Sequence, residues 1–273
     1  MKIALAFWGL TRSLKHTIQS IKQCIFHPLR SANIEYIIFV HTFTLSGTYT
    51  NPRAMEFNIE LDFEEYKLLN PDFVSIENQD EVKQQIRVEE YRFKPDPWKT
   101  NYKTVDNFLL AMYSKSKLYA MLQTSKHTFD YIVFLRPDVL YKNPLNIDFF
   151  LLAKKDTICI PNFEIYNHFN DRFCIATYQN GLLYCSLFQY MLAYSKEKPL
   201  HSETFHYDMI VQKFNIKLCY VPFTFQRVRA NGKIEEKDID INSKIQNKQL
   251  NKFKFKPFTL FKHHARNNVH SIR

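Results

Sequence analysis

An apolar run, a helical repeat and a second apolar run open the chain, and this alternation constrains the fold more than anything that follows. Residues 2–8, KIALAFW, are apolar and of strand length. Leu14, Ile18, Ile21 and Ile25 recur at spacings of 4, 3 and 4, aligned on one face of a helix that Thr11 or Ser13 would cap. EYIIFVH, residues 35–41, is a second strand-length burst, so a β-α-β unit is predicted. A third strand is expected in DFVSIEN after the turn at Asn70-Pro71. The polar stretch from Gln79 to Thr100 predicts an exposed excursion, either a substrate-side lid or an ordinary surface insertion.

Helix returns over residues 103–124, with Val105, Phe108, Leu109, Met112 and Leu118 on one face. It feeds DYIVFLRPDVLY, a buried strand with a charged end. TICIP predicts another strand, GLLYCSLFQYMLAYSK a helix, SETFHYDMIVQKF a helix capped by Ser202, and KLCYVPFTFQRVRANG two strands around a bend. Strands alternating with helices predict an α/β fold, a mostly parallel sheet flanked by helices. No repeat or low-complexity linker divides the chain, so one domain is expected over residues 1–241, followed by a basic tail over 242–273.

Composition narrows the chemistry. Only four glycines occur, Gly9, Gly47, Gly181 and Gly232, too few and too scattered for a GxGxxG dinucleotide turn or a GxxxxGK phosphate loop. The five cysteines contain no CxxC and sit among apolar neighbours, which predicts buried reduced thiols. No apolar run reaches the roughly eighteen residues that would span a bilayer, and the N-terminus lacks a signal-peptide cleavage pattern, so a cytoplasmic, unexported protein is expected.

The net charge of +10 is uneven: residues 242–273 hold eight Lys and Arg and no acid. That tail, with aromatics between its cations, could grip phosphates, an anionic glycan, a membrane surface or nucleic acid, or be only a solvated segment.

The chemistry concentrates where the strand YIVFL runs into Arg136-Pro137-Asp138. Pro137 removes a backbone donor and ends regular pairing, which turns its neighbours outward. Asp138 could hold a divalent cation and Arg136 could clamp a diphosphate; a structural ion pair at a strand end is the alternative.

FLRPDVLYKNPL resembles the segment that carries the Asp-x-Asp motif in GT-A-fold nucleotide-sugar glycosyltransferases. AFWGLTRSL, FVHTF, YSKSKLYAML, FLRPDV and NDRFCIATYQN follow in the order seen in glycosyltransferases of lipopolysaccharide, capsule and large-virus glycan pathways, over residues 1–232. The resemblance implies a GT-A-like fold, a nucleotide-sugar donor and a glycan or glycoconjugate acceptor. Arg136 replaces the first acid of Asp-x-Asp, so two options stand. Asp138 binds Mn²⁺ or Mg²⁺ with a C-terminal histidine, His264 or its neighbour His263, or Arg136 supplies the positive charge without metal.

The resemblance also places Asn170-Asp171-Arg172 against the donor sugar and acceptor, with Asp171 as general base and Asn170 and Arg172 orienting hydroxyls. Taken alone, these residues suit an Asx turn or helix cap equally. Glu203 is a rival base, or simply an acid favoured at a helix start. Gly9, Thr11 and Arg12 open a helix where an anion is welcome, and the resemblance puts the nucleotide there, with His41 nearby, although a satisfied strand-end histidine is the more ordinary reading of His41. Arg227 and Arg229 alternate onto one side of a strand, Trp8 and Trp98 could stack on a ring, and either pair could equally be structural. If Asp171 is the base, transfer inverts the anomeric centre. The rival function is a non-enzymatic polyanion or nucleic-acid binder acting through the tail; a nucleotidyltransferase using Asp138 and metal is weaker.

Overall fold

The computed structural model describes residues 1–51 and 54–235. The strands are β1 (Lys2–Trp8), β2 (Glu35–Thr44), β3 (Tyr49–Asn51), β4 (Glu56–Ile59), β5 (Phe73–Asn78) and β6 (Tyr131–Leu135). They continue with β7 (Val139–Tyr141), β8 (Thr157–Pro161), β9 (Cys174–Thr177), β10 (Lys217–Val221) and β11 (Phe225–Arg227). Seven of them form one sheet in the order β10-β8-β9-β6-β1-β2-β5. All neighbours are parallel except β9, which runs antiparallel to both β6 and β8. The mostly parallel α/β expectation therefore holds.

The apolar runs exist because both faces of the sheet are covered. Ala4, Ala6 and Trp8 of β1 join one hydrophobic core, whereas Ile3, Leu5 and Phe7 join the other. A strand buried on both sides has no polar face to present, hence its unbroken hydrophobicity. One layer contains α1 (Leu14–Ile21), which continues through a π-helical turn at Lys22–Phe26 into α2 (His27–Ser31), together with the short α5 (Phe149–Leu152). The opposite layer is built on α4 (Lys103–Thr124), with α6 (Tyr178–Cys185), α7 (Met191–Glu197) and α8 (Ser202–Tyr207) beside it. Gly181 lets α6 lie close on the sheet: a Cβ there would sit 2.7 Å from Ile132 Cδ1.

Strands β2 and β5 lie on one side of β1, and the chain then crosses to place β6 on the other. That reversal opens a crevice beyond the carboxyl ends of β1 and β6, the usual ligand position in open α/β sheets. Past β6 the chain forms β7, which pairs antiparallel with β11 and sets Arg227 opposite Val139. Residues 88 apart in sequence thus share one rim.

Several local expectations need correction. The excursion after Gln79 begins with α3 (Gln79–Ile86), because Asn78 caps it by accepting from the Asp80 and Glu81 amides at 2.9 and 3.2 Å. The cap of α8 is His201 rather than Ser202. The long helix expected after Gly181 breaks at Ser186 into α6, a 3₁₀ turn at Leu187–Tyr190 and α7. The stretch containing Cys174–Thr177, read for its polar lead-in alone, is the antiparallel strand β9. Cys24, Cys159, Cys174 and Cys185 are buried and unbridged, as expected, whereas Cys219, also unbridged, is only half-buried. The proposed boundary at residue 241, the basic tail and His263 and His264 lie outside the described residues.

Candidate active site

At the end of β1, Trp8 and Gly9 line a cavity of about 280 Å³. Gly9 has φ +88°, a conformation that side chains resist, and nothing stands within 4 Å of where its Cβ would be. Its amide donates to Ser114 Oγ at 3.0 Å, and that hydroxyl meets His41 Nδ1 at 2.8 Å. His41 Nε2 in turn lies 2.9 Å from a Glu77 carboxylate oxygen. His41 is therefore not brought to the cavity. It is fully buried two bonds below it and braces Gly9 through Ser114. The hydrogen bond from His41 holds the Glu77 carboxyl at about 2 against the opposing effect of burial.

The end of β6 supplies the charge. Arg136 grips Asp138 side-on, Nε to Oδ1 at 2.7 Å and Nη2 to Oδ2 at 2.5 Å. Arg12 Nη2 adds a bond to Oδ2 at 2.9 Å, while its Nη1 donates to the Tyr49 hydroxyl of β3. Burial pushes the Asp138 carboxyl up, but the two guanidiniums more than reverse this and leave it well below the usual carboxylate range. Arg136 also lies over the Trp8 ring, 5.3 Å from its centroid.

Asp171 shares this space. Arg12, Arg136, Asp138 and Asp171 all line the 280 Å³ cavity, together with Arg227 and Arg229. An adjoining cavity of about 600 Å³ shares Arg136, Asp171, Arg227 and Arg229 with it and adds Glu164, Arg172 and Glu203. Trp98 borders both cavities and stacks on His201, with centroids 5.0 Å apart and planes at 22°. Trp8 Nε1, Arg12 Nε and Gln79 Oε1 belong to residues lining the smaller cavity, and each is buried without a hydrogen-bond partner among the described residues. Unfilled buried donors and acceptors are uncommon in native proteins, and each calls for a partner such as an ordered water or a ligand.

Other expected residues have structural work. Thr11 is buried, lines neither cavity and starts the first helix by accepting the Leu14 amide at 3.1 Å. Asn170 is also buried away from both cavities. Its side chain donates to the Phe163 carbonyl at 2.8 Å and accepts from the Arg172 amide at 3.0 Å, an Asx turn that presents Asp171. Arg172 pairs with Glu164. Glu203 accepts from Ser202 Oγ at 2.5 Å on the wall of the larger cavity.

Among the described residues, no group of three or more His, Cys, Asp or Glu could hold a metal ion. Both oxygens of Asp138 are already bonded to guanidinium groups. A divalent cation there would meet two fixed positive charges, so the described donor set does not fit a metal.

The residues that sequence reasoning missed are Tyr49, Gln79, Glu164 and Lys115. Lys115 alone left a signal, since it falls within the helical stripe Phe108, Met112, Leu118 and Leu122, where a lysine is out of place.

No protein-family model matches the chain, and no curated protein matches its sequence. Solved structures similar in outline include two that are named as transferases of sugars. The apo form of mouse xyloside xylosyltransferase 1 aligns with TM-score 0.42 and 11% identity over 81% of this chain and 85% of its own. The apo-form glycosyltransferase GlyE of Streptococcus pneumoniae TIGR4 aligns with TM-score 0.42 and 12% identity over 80% of this chain. The present chain spans 45% of the length of GlyE.

Proposed function

We propose that the protein is a glycosyltransferase that moves a sugar from a nucleoside diphosphate sugar to a hydroxyl of a glycan or glycoconjugate. The observation that carries this reading is the meeting of Asp171 with Arg136 and Asp138 around one cavity at the reversal point of the sheet. A diphosphate needs fixed positive charge, and Arg136, Arg227 and Arg229 rim that space. Planar guanidinium groups suit phosphate oxygens better than a point charge does.

In the proposed reaction the acceptor oxygen attacks the anomeric carbon. The bond from that carbon to the β-phosphate oxygen breaks, and the diphosphate leaves with the electron pair. Asp171 takes the acceptor proton, and attack opposite the leaving group inverts the centre. Negative charge grows on the β-phosphate, so pre-placed guanidinium groups lower the barrier most at that point. Asp171 suits the role of base better than Glu203 because it borders both cavities, whereas the Glu203 carboxylate is engaged by Ser202. Asp138 serves as the anchor that orients Arg12 and Arg136, and the arginines replace a cation.

The test is a thermal-shift screen of UDP-, GDP-, CMP- and dTDP-sugars with and without Mn²⁺, repeated with Arg136→Ala and Asp138→Ala. Binding to the folded state raises Tm according to affinity. One donor is expected to raise Tm independently of Mn²⁺, with the effect lost in Arg136→Ala. A shift that needs Mn²⁺ overturns the metal-free version, and the absence of any donor shift overturns the enzyme.

A further inference from the structure

Lys115 is 1% exposed in the middle of α4, and among the described residues no carboxylate is bonded to it. Its ammonium donates to the Tyr184 hydroxyl at 3.0 Å and to His206 Nε2 at 3.2 Å, and it lies 4.5 Å from the centre of the Trp8 ring. Each partner leads to a wall of the cleft. Tyr184 donates onward to the Asp171 carbonyl at 3.4 Å. His206 Nδ1 bonds the Ser202 carbonyl at 2.7 Å, so this nitrogen carries the proton and Nε2 is left to accept from Lys115. Trp8 borders the cavity directly and carries Arg136 over its ring as well. Three segments distant in sequence, at residues 8, 171 and 202, are thus tied to one buried cation.

We propose that Lys115 is a positioning residue of the active site, a buried ammonium that holds the Trp8, Asp171 and Ser202 walls in register for binding a diphosphate. The inference rests on the glycosyl-transfer reading for the identity of the ligand and on geometry for the tie itself. An uncharged side chain would fill the space at lower desolvation cost, since burying an ammonium without a carboxylate is expensive. The groups around it are Tyr184 and Cys185 on α6, His206 on α8, Cys174 on β9, Arg136 beyond β6 and Asp171. Burial pulls its pKa down to about 8, with the Asp171 charge opposing. The cation therefore discharges in mildly alkaline solution, which ends its attraction to the Trp8 ring and weakens its two hydrogen bonds.

Trp8 and Trp98 are the only tryptophans, so full-length Trp98→Phe protein reports Trp8 alone by fluorescence. Its emission is followed from pH 6.5 to 9.5 in that background, with and without Lys115→Met. Dissociation constants for inorganic pyrophosphate and for UDP and GDP are measured by calorimetry in the native protein and in Lys115→Met. One emission transition near pH 8 is expected, absent from Lys115→Met, together with about tenfold weaker anion binding in that variant, a typical coupling between residues in contact. Tyr184→Phe keeps the lysine but removes an acceptor of its charge, so the transition should move to lower pH; this variant decides the matter if Lys115→Met does not fold. A flat emission profile, a transition that survives Lys115→Met, or equal anion affinity in the two proteins overturns the inference. If native protein binds none of the three anions and none of the four donor classes raises its Tm, the glycosyl-transfer reading falls, while the emission profile still decides the tie between Lys115 and Trp8.

Discussion

Arg136 and Asp138 stand on either side of Pro137 and pair through two hydrogen bonds, of 2.7 and 2.5 Å, at the mouth of the crevice beyond β6. Proline between them stops the strand, and residues two apart lie on the same side of an extended chain, so the two side chains can meet. Arg12 closes the triad from the start of the first helix. The result is a rigid platform with more positive than negative charge.

Substitution of Arg136 should separate charge from shape. Arg136→Ala is expected to weaken nucleoside diphosphate binding at least about tenfold, the scale of one charge-assisted hydrogen bond, measured by calorimetry. Arg136→Lys should recover little of that loss, because an ammonium cannot pair side-on with Asp138 while facing the ligand. Full recovery with lysine would mean that net charge alone is needed.

Asp138→Asn should lower stability by about 3 kcal/mol in urea unfolding, the usual order for a buried ion pair that loses one partner. The same variant isolates an acid effect. The folded-state pKa of Asp138 lies below its unfolded value, so its contribution is complete above that value, near 4, and is lost as pH falls further. The difference in stability between native protein and Asp138→Asn should therefore shrink on acidification below about pH 4.

A second acid effect arises at His206, which is fully buried. Burial, reinforced by the Lys115 charge, lowers its pKa to about 3. The unfolded chain takes up this proton near pH 6.5, whereas the folded protein resists it until about pH 3. Stability from this group is complete above pH 6.5 and declines as pH falls toward 3. His206→Gln retains a donor and an acceptor without titrating, so its stability profile should be flatter through that window, measured by chemical denaturation at fixed pH steps.

Gly181→Ala should cost about 1–3 kcal/mol, as overpacking of a core usually does. The new methyl would meet Ile132 Cδ1 at 2.7 Å and Cβ at 2.9 Å, where α6 rests on β6. Gly181→Ala combined with Ile132→Val removes Cδ1 and should regain part of the loss. A Tm equal to native in the single variant would show that α6 can lift without penalty.

The α/β class, the strands β1, β2, β5, β6 and β8, and the helix of α4 were legible in the sequence because each depends on local hydrophobic periodicity. The charged end of β6 was legible for the same reason: an apolar run that stops at Arg-Pro-Asp has few alternatives. The side chains of His41 and Asn170 could not be assigned between cavity and structure from sequence, because a polar side chain at a strand end or in a loop can face either a cavity or a neighbouring backbone, and local sequence is the same in both cases. The antiparallel direction of β9 and the pairing of β7 with β11 depend on partners tens of residues away. So does the meeting of Asp138 with Asp171 across 33 residues of chain. Periodicity along the chain determined which segments were strands and helices, since burial of one residue type every second or every third to fourth position is a local property. Only the tertiary structure decided which side chains share a cavity and that Lys115 lies beneath it, because those outcomes are set by how two cores pack on opposite faces of one sheet.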